Sequence, residues 1–433
     1  MRVHLSEFGY GLDDLEKIKA FVMKRFTVED VFFEENVLSF VIKEHYIKEP
    51  FKELVFDLRN IGYAPMAVRD KERVLIRVFP YRRVAEKTSK MPLILFFVTV
   101  GTVLIDGYLR SVSYADIFSR IFGRLSVTDI LLNTLLFTVA LMSIIGLHEF
   151  GHLLSAKASG MGATPPYFIP GVPGIMPTFG AVIFQKDPAI NRDSLFDSGI
   201  SGPITGFIVS IFVTIAAFLT ANWLSVSEYE AVQTLIEKEG GVFLPSPLAF
   251  YLIRPIFGKP EMVPFFSTLG FAAWLGMVVT AINLFPAWQL DGGRIFRPLL
   301  SRKQYIIASY VSALVLIVMG YFLLGILILF MSSRTPDIVP LDQVSPLSKK
   351  RKLALLGGYW NPHPDFCSPL LLVIPRFLLH LGLSLYYILF PLSSKHTIAH
   401  QIRCRTLSPP IAFPRMPWAM SRPKLSCTFL TRV

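Results

Sequence analysis

The sequence contains an uncharged stretch, ILLNTLLFTVALMSIIGL at residues 130–147, followed directly by HEFGH at residues 148–152. A run of this length approaches what an α-helix needs to cross a bilayer. The pentapeptide adds three ionisable side chains, and such groups are costly beside a membrane span and usually functional there. The sequence therefore predicts a membrane helix that carries a functional site near one end.

The pentapeptide has the spacing of a metal site. His148 and His152 are four residues apart, so they share one face of a helix. Two imidazoles on one face can bind a single zinc ion. Glu149, between them, can take a proton from a water molecule, and the HExxH pattern is typical of zinc metalloproteases. Zinc also needs a third protein ligand and an open position.

The bulk composition indicates a polytopic membrane protein. Of 433 residues, 52% are hydrophobic and 17% are charged, with a mean hydropathy of +0.51. Soluble domains carry about 25% charged residues. Residues 1–85 have both charge signs and no apolar core of a signal sequence, which predicts no cleavable signal peptide. The net charge of +12 is concentrated in residues 353–433, so we expect no nucleic-acid partner.

Residues 1–85 predict a small soluble α+β domain. Helical spacing covers residues 12–26 and 50–61. Two hairpins are predicted, residues 31–33 with 37–42 and residues 64–68 with 74–79. This domain is either an ordinary solvated unit or one that regulates or docks substrate.

Residues 90–333 predict a transmembrane core, giving about five to six transmembrane helices in all. Five uncharged or nearly uncharged candidate spans lie there: 91–105, 130–147, 198–227, 263–290 and 304–333. The first is short and needs flanking residues to cross. A basic linker at 334–352 follows the core.

A glycine- and proline-rich segment separates the second and third spans. Residues 160–180 contain five Gly and five Pro, a density that no regular helix survives. The segment is either a surface loop or a re-entrant loop covered by protein. In the second case the extended residues 178–183 could pair with an unfolded substrate segment.

Basic residues predict the orientation. Those before the first span place the N-terminal domain in the cytoplasm and HEFGH towards the cytoplasmic side. They are Arg82, Arg83, Lys87 and Lys90. The acidic stretch 228–241 fits the opposite side, and the basic residues of 294–303 fit the cytoplasm again. The basic run 349–352 conflicts with this orientation if residues 304–333 cross only once.

Asp291 is the best candidate for the third ligand. It follows the uncharged run 263–290, at about the depth expected for HEFGH, where a carboxylate favours a cation. The alternative is a helix-stopping Asp-Gly-Gly turn. The other histidines lie in the N-terminal domain or the tail, and His396 with His400 lacks the intervening Glu because Thr397 stands there.

HEFGH together with NLFPAWQLDGG at residues 283–293 resembles the site-2 proteases, which are zinc intramembrane metalloproteases. Their pattern is HExxH followed by an NxxPxxxxDG-type motif in a later apolar segment. Residues 180–183 (GAVI) and 201–203 (SGP) are also similar to signatures of that family. The resemblance covers about residues 90–330.

The resemblance implies the roles of individual residues. His148, His152 and Asp291 would bind Zn²⁺, and Glu149 would act as general base and acid. Asn283 would orient substrate or stabilise the oxyanion, or alternatively form an interhelical hydrogen bond. A break at Pro286 would turn Asp291 towards the zinc, and the implied partners are a membrane protein substrate and membrane lipid.

Other functions remain open at this point. A catalytically silent membrane scaffold of the same fold is one. A metal transporter is another, though one short metal-binding cluster makes a poor pathway. A different class of HExxH membrane protease uses a Glu as third ligand, for which Glu228 and Glu230 are the candidates.

The tail from 353 to 433 does not fit the rest of the chain. It holds all three cysteines and, after residue 360, ten prolines with almost no acidic residue. Either the reading frame shifts near residue 358, or residues 377–394 form a sixth span followed by a basic extension. The oligomeric state is not predicted.

Overall fold

A computed structural model describes residues 11–34, 36–81, 89–123, 127–238, 242–244, 246–288, 290–334, 337–356 and 411–413. The N-terminal region contains two helices and four strands in the order expected. They are α1 (Leu12–Met23), β1 (Val28–Glu34), β2 (Val37–Ile42), α2 (Lys48–Asn60), β3 (Tyr63–Asp70) and β4 (Arg73–Pro80). The antiparallel sheet has the order β1-β2-β4-β3.

The apolar spacing of α2 builds the core of this region. Phe51, Leu54, Val55 and Leu58 recur at helical intervals and are fully buried, as expected of a helix that presents one apolar face. They pack in one cluster with inward side chains of the central strands, such as Phe40. Both predicted hairpins are present, while the domain boundary at residue 85 stays a prediction.

Among the described residues, three helices are long and apolar enough to cross a membrane. They are α3 (Met91–Phe122), α4 (Val127–Ala158) and α5 (Arg192–Leu219). The first is much longer than the predicted 91–105, because the helix continues through Asp106 and Arg110, which pair with each other at 2.6 Å. HEFGH lies inside α4, as predicted.

Two strands occupy the glycine- and proline-rich segment between α4 and α5. They are β5 (Tyr167–Val172) and β6 (Met176–Val182), which pair antiparallel. Residues 160–180 thus avoid helix, as predicted, and we call β5, β6 and their turn the interhelical hairpin. It packs against α3 and α4.

The prediction of one span over 263–290 is wrong. The segment divides into β9 (Val263–Phe265) and α8 (Thr268–Asn283), followed by an irregular stretch that ends at α9 (Asp291–Phe296). Pro286 lies in this break, consistent with its inability to continue a helix. The strand β9 pairs with β7 (Asn222–Leu224), and the acidic stretch 228–241 is mostly helical in α6 (Val226–Lys238).

The single span predicted over 304–333 is also wrong. Two helices, α10 (Arg302–Val318) and α11 (Phe322–Arg334), are separated by Gly320, whose φ is +92°. Gly325 of α11 packs against Ala313 and Ile317 of α10, which shows that the two helices run antiparallel. A left-handed glycine reverses the chain without a charged residue to mark the turn. The chain therefore runs out along α10 and back along α11, so residues 302 and 334 lie at the same end of this helix pair.

A segment after α11 joins the N-terminal region to the membrane helices. Leu341 donates its N–H to the carbonyl of Ala189 and accepts an N–H from Ala67 of β3, both at 2.8 Å. Asp342 continues the pairing by donating to the carbonyl of Ile190 at 2.8 Å. The segment lies between β3 and the stretch before α5, so it fixes the N-terminal region against that end of the helices.

Asp193 in the first turn of α5 connects three parts of the chain. Its carboxylate accepts from Lys48 of α2, from Arg351 of α12 (Lys349–Leu356) and from the Ser348 N–H, each at 2.9 Å. Hydrogen bonds from Arg351 to Asp197, at 2.7 and 2.5 Å, raise the pKa of this guanidinium. The basic run 349–352 thus lies on the same side as the N-terminal region, and the conflict in the predicted orientation disappears.

The remaining described elements are α7 (Leu248–Ile253), a short 3-10 segment (Arg254–Phe257), and β8 (Val242–Leu244) paired with β10 (Ile411–Phe413). The possible sixth span at 377–394 lies outside the described residues, as does most of the tail that prompted the shifted-frame hypothesis.

Candidate metal centre

The helix α4 presents both histidines to the protein interior. His148 and His152 are 7% and 5% exposed, and Glu149 between them is 8% exposed. His148 and His152 lie about 15 and 9 Å from the C-terminal end of α4, given the 1.5 Å rise per residue of a helix. Three polar groups are therefore buried well inside an apolar helix, where polar side chains need partners.

Asp291 meets the two histidines. Its carboxylate oxygens lie 3.1 Å from Nε2 of His148 and 3.1 Å from Nε2 of His152, and the two Nε2 atoms are 3.2 Å apart. Each histidine faces a different oxygen of this carboxylate. Two ligand atoms of a tetrahedral zinc site with bonds of 2.0–2.1 Å lie about 3.3–3.4 Å apart, and the separation of the two Nε2 atoms is close to this value. Two imidazoles and one carboxylate are also donors that zinc prefers. The three residues fit the ion, and one position stays open for water or substrate.

The backbone around Pro286 brings Asp291 to this position. Asp291 is the first residue of α9, after the break that follows α8. Gly292 allows the loop to fold closely, because a Cβ there would lie 2.2 Å from the carbonyl oxygen of Phe285. The Asp-Gly-Gly sequence thus ends one apolar segment and also presents a carboxylate to the histidines.

A backbone carbonyl of α5 orients His152. Nδ1 of His152 lies 2.6 Å from the Ser198 carbonyl oxygen. A carbonyl only accepts hydrogen bonds, so Nδ1 carries the proton and Nε2 keeps its lone pair for a metal. The sequence carries no signal for this contact, because any residue type can supply a backbone carbonyl.

Glycines of α5 provide the space in which the histidines lie. A Cβ at Gly202 would lie 2.1 Å from Nε2 of His152, and one at Gly206 would lie 2.9 Å from Nδ1 of His148. Both distances are below ordinary van der Waals contact. The GxxxG spacing in α5 therefore serves the packing of the site as well as the packing of two helices.

Replacing Gly202 with Ala is expected to lower zinc affinity by about 10–100-fold, the range for disturbing the groups that orient metal ligands. The new methyl group would displace the imidazole of His152. Gly101→Ala in α3 is the matched control, because a Cβ there meets nothing within 4 Å. Competition with a zinc-binding dye measures both variants, and equal affinities would contradict the packing role of Gly202.

The other candidate residues are placed differently. Glu228 and Glu230 lie on α6, which follows the far end of α5, and both are exposed. Within the described ranges, the group of His148, His152 and Asp291 is the only one of three or more possible ligands that could hold a metal ion. This argues against the glutamate-ligand class. Asn283 is the last residue of α8 and is half-buried, so its role stays a prediction.

The fold and the candidate site define a class: a membrane protein whose described residues include three long apolar helices, with an HExxH motif and an aspartate grouped where they could hold a metal ion. Residues 136–327 match the model of Peptidase family M50. This family is that of the site-2 proteases, so the match confirms the resemblance read from the two motifs.

The chain is similar to several plant proteins. "Probable zinc metalloprotease EGY2, chloroplastic" from Oryza sativa subsp. indica is 29% identical over 218 residues, covering 48% of this chain and 36% of that protein. "Probable zinc metalloprotease EGY1, chloroplastic" from Arabidopsis thaliana is 28% identical over 224 residues, covering 50% and 39%. The chain thus matches less than half the length of these relatives. Their names support zinc as the metal and a metalloprotease function.

Among solved structures, the Site-2 Protease from Methanocaldococcus jannaschii matches with 21% identity, covering 51% of this chain and 82% of that chain. The TM-score is 0.23, too low to establish a common arrangement of the helices.

Proposed function

We propose that this protein is a zinc-dependent intramembrane endopeptidase that cleaves membrane-spanning or membrane-tethered proteins. The observation that carries the proposal is the grouping of His148, His152 and Asp291 beside Glu149, in which the two histidines and the glutamate are buried among apolar helices. Its residues have the chemistry that peptide hydrolysis needs. Their depth in α4 suits a substrate that lies in the membrane.

Each residue of the centre has a distinct task. Zinc, when bound, polarises the scissile carbonyl and lowers the pKa of water to about 7. Glu149 removes the proton of the attacking water and delivers it to the leaving amine. His152 is held in the reactive tautomer by the Ser198 carbonyl at 2.6 Å.

Hydrolysis also requires water and an accessible peptide bond. The metal centre lies nearer the end of α4 that faces the N-terminal region, and basic residues lie at the same end, on α12 and at the start of α10. By the positive-inside rule this end is cytoplasmic, so water would reach the centre from the cytoplasm.

The interhelical hairpin supports a substrate segment that is unwound from its helix when it binds. A transmembrane helix hides its carbonyls in internal hydrogen bonds, so it must unwind before attack. The hairpin is a two-stranded sheet, so a further extended strand can add to its edge. Phe168 of β5 lies near Gly146, two residues before His148. We propose that the unwound substrate lies along this hairpin.

The proposal is tested by incubating the purified full chain, in liposomes, with a single-span substrate tagged at both ends. We expect cleavage within the span, located by mass spectrometry, which stops when a zinc chelator is added and returns with zinc. Cleavage that persists in the chelator would contradict a metal mechanism. Cleavage confined to residues outside the span would contradict the intramembrane assignment.

A further inference from the structure

A fully buried carboxylate lies in α3, away from the metal centre. Asp106 is 0% exposed and lies about 22 Å along the helix from Met91, given the rise of 1.5 Å per residue. Arg110, one turn later, donates from Nε to Oδ2 of Asp106 at 2.6 Å. Its guanidinium carbon lies 3.9 Å from the ring centroid of Phe271 in α8. The pair therefore links α3 to α8.

The other oxygen of this carboxylate holds the interhelical hairpin. Oδ1 of Asp106 accepts the N–H of Gly174 at 2.8 Å. Gly174 lies in the turn between β5 and β6 with φ of +88°, a conformation that favours glycine. A single carboxylate therefore ties the tip of the hairpin to α3 at membrane depth.

The packing of α3 on α4 has a separate basis. Gly107 allows close approach to α4, because a Cβ there would lie 2.6 Å from the ring of Phe137. An ion pair inside a membrane helix is costly, and apolar side chains of similar volume often replace buried pairs without loss of stability. Asp106 joins the pair with Arg110 to the hairpin through its hydrogen bond with Gly174, and this contact points to a role at the hairpin.

The hairpin packs along α3 and reaches α4, the helix that carries the two histidines. Phe168, near the base of β5, lies by Gly146 of α4, two residues before His148. Near the tip, the Thr102 hydroxyl of α3 donates to the Pro177 carbonyl at 3.1 Å. A shift of the tip would therefore shift the strands relative to α3 and α4.

We infer that Asp106 and Arg110 are positioning residues: they form a latch that fixes the hairpin tip and thereby sets which peptide bond of the substrate reaches the metal centre. The expected effect on the position of cleavage rests on the proposed function. The latch itself is a property of the fold and can be measured without a substrate.

Two double variants separate the hydrogen bond from the charge. Asp106→Leu with Arg110→Met removes both charges and the acceptor. Asp106→Asn with Arg110→Gln removes both charges but keeps an amide oxygen that can accept from Gly174. Both leave no unpaired buried charge, so each is expected to fold and bind zinc as the unmodified protein does.

The first readout is a spin label at Ile175, which is 78% exposed beside Gly174. It is placed on the full chain after the three tail cysteines (Cys367, Cys404 and Cys427) are changed to serine. We expect a restricted label in the unmodified sequence and in the Asn/Gln variant, and a mobile label in the Leu/Met variant. Equal mobility in all three would overturn the latch.

The second readout is the cleavage position in the tagged span, determined by mass spectrometry. The Leu/Met variant is expected to cut at several neighbouring bonds, with kcat/KM lowered about tenfold, as for the loss of one hydrogen bond. The Asn/Gln variant is expected to keep a single position. A purely structural role would change the amount of folded, zinc-loaded protein and leave the cleavage position unchanged, and that result would overturn the positioning role.

If the unmodified protein cleaves no substrate, the proposed function fails, whereas the spin-label comparison still decides whether the latch exists. A Leu/Met variant that loses zinc as well would show that the pair supports the fold of the metal centre, and this too would overturn the inference.

Discussion

Glu149→Gln is expected to lower the rate of peptide cleavage by about 10²–10⁴-fold, the contribution of a positioned general base and acid. The amide cannot take a proton from water, but it has nearly the same shape as the carboxylate. The three ligand side chains are unchanged, so the zinc content should equal that of the unmodified protein. Cleavage of the tagged span and the zinc content of the same sample are measured together.

Glu230→Gln is the matched control for this experiment. Glu230 is exposed on α6, so the same loss of charge there should leave both measurements unchanged. Cleavage by the Glu149→Gln variant at the unmodified rate would contradict the assigned role. A protein that binds zinc but cleaves no substrate, whether position 149 holds Glu or Gln, would be a catalytically silent scaffold.

The metal centre could be predicted from sequence because its chemistry is carried by residue types at fixed spacing. Two histidines four apart must share a helix face, and a carboxylate at the end of an apolar run favours a cation. The position of Asp291 alone also fitted a helix-stopping turn, and the resemblance of the second motif favoured the ligand. The structure brings His148, His152 and Asp291 within 4.8 Å of one another. Ser198 escaped prediction because it contributes a backbone carbonyl, which any residue could offer.

The membrane helices were harder to predict, because the length of an uncharged run does not show whether it forms one helix or folds back as two. Residues 304–333 have enough apolar character for one long span, yet Gly320 folds them into two antiparallel helices. In α3 the opposite error arose, since Asp106 ended the predicted span. Arg110, four residues later, pairs with its charge, but the second partner of the carboxylate is the N–H of Gly174, 68 residues away along the chain. Such a partner cannot be recognised from local sequence.

Asp291→Ala is expected to lower zinc affinity by more than about 100-fold, because the loss of an outer partner of a ligand alone costs 10–100-fold. The two histidines would remain in α4, but two neutral ligands make an incomplete site for zinc. Cleavage should fall with zinc occupancy and recover in part at high zinc concentration. Dye competition measures the affinity, and the tagged span measures the activity.

Asp337→Asn provides the control for this change. Asp337 pairs with Arg297 at 2.7 and 2.6 Å, so its replacement also removes a half-buried carboxylate near the end of α9 without touching the metal ligands. It should keep zinc. The comparison also separates two classes of enzyme, since a protease that used Glu228 or Glu230 as third ligand would keep its zinc when Asp291 is removed. If the Asp291→Ala variant retains zinc, another residue must be the third ligand, and the centre of His148, His152 and Asp291 is wrong.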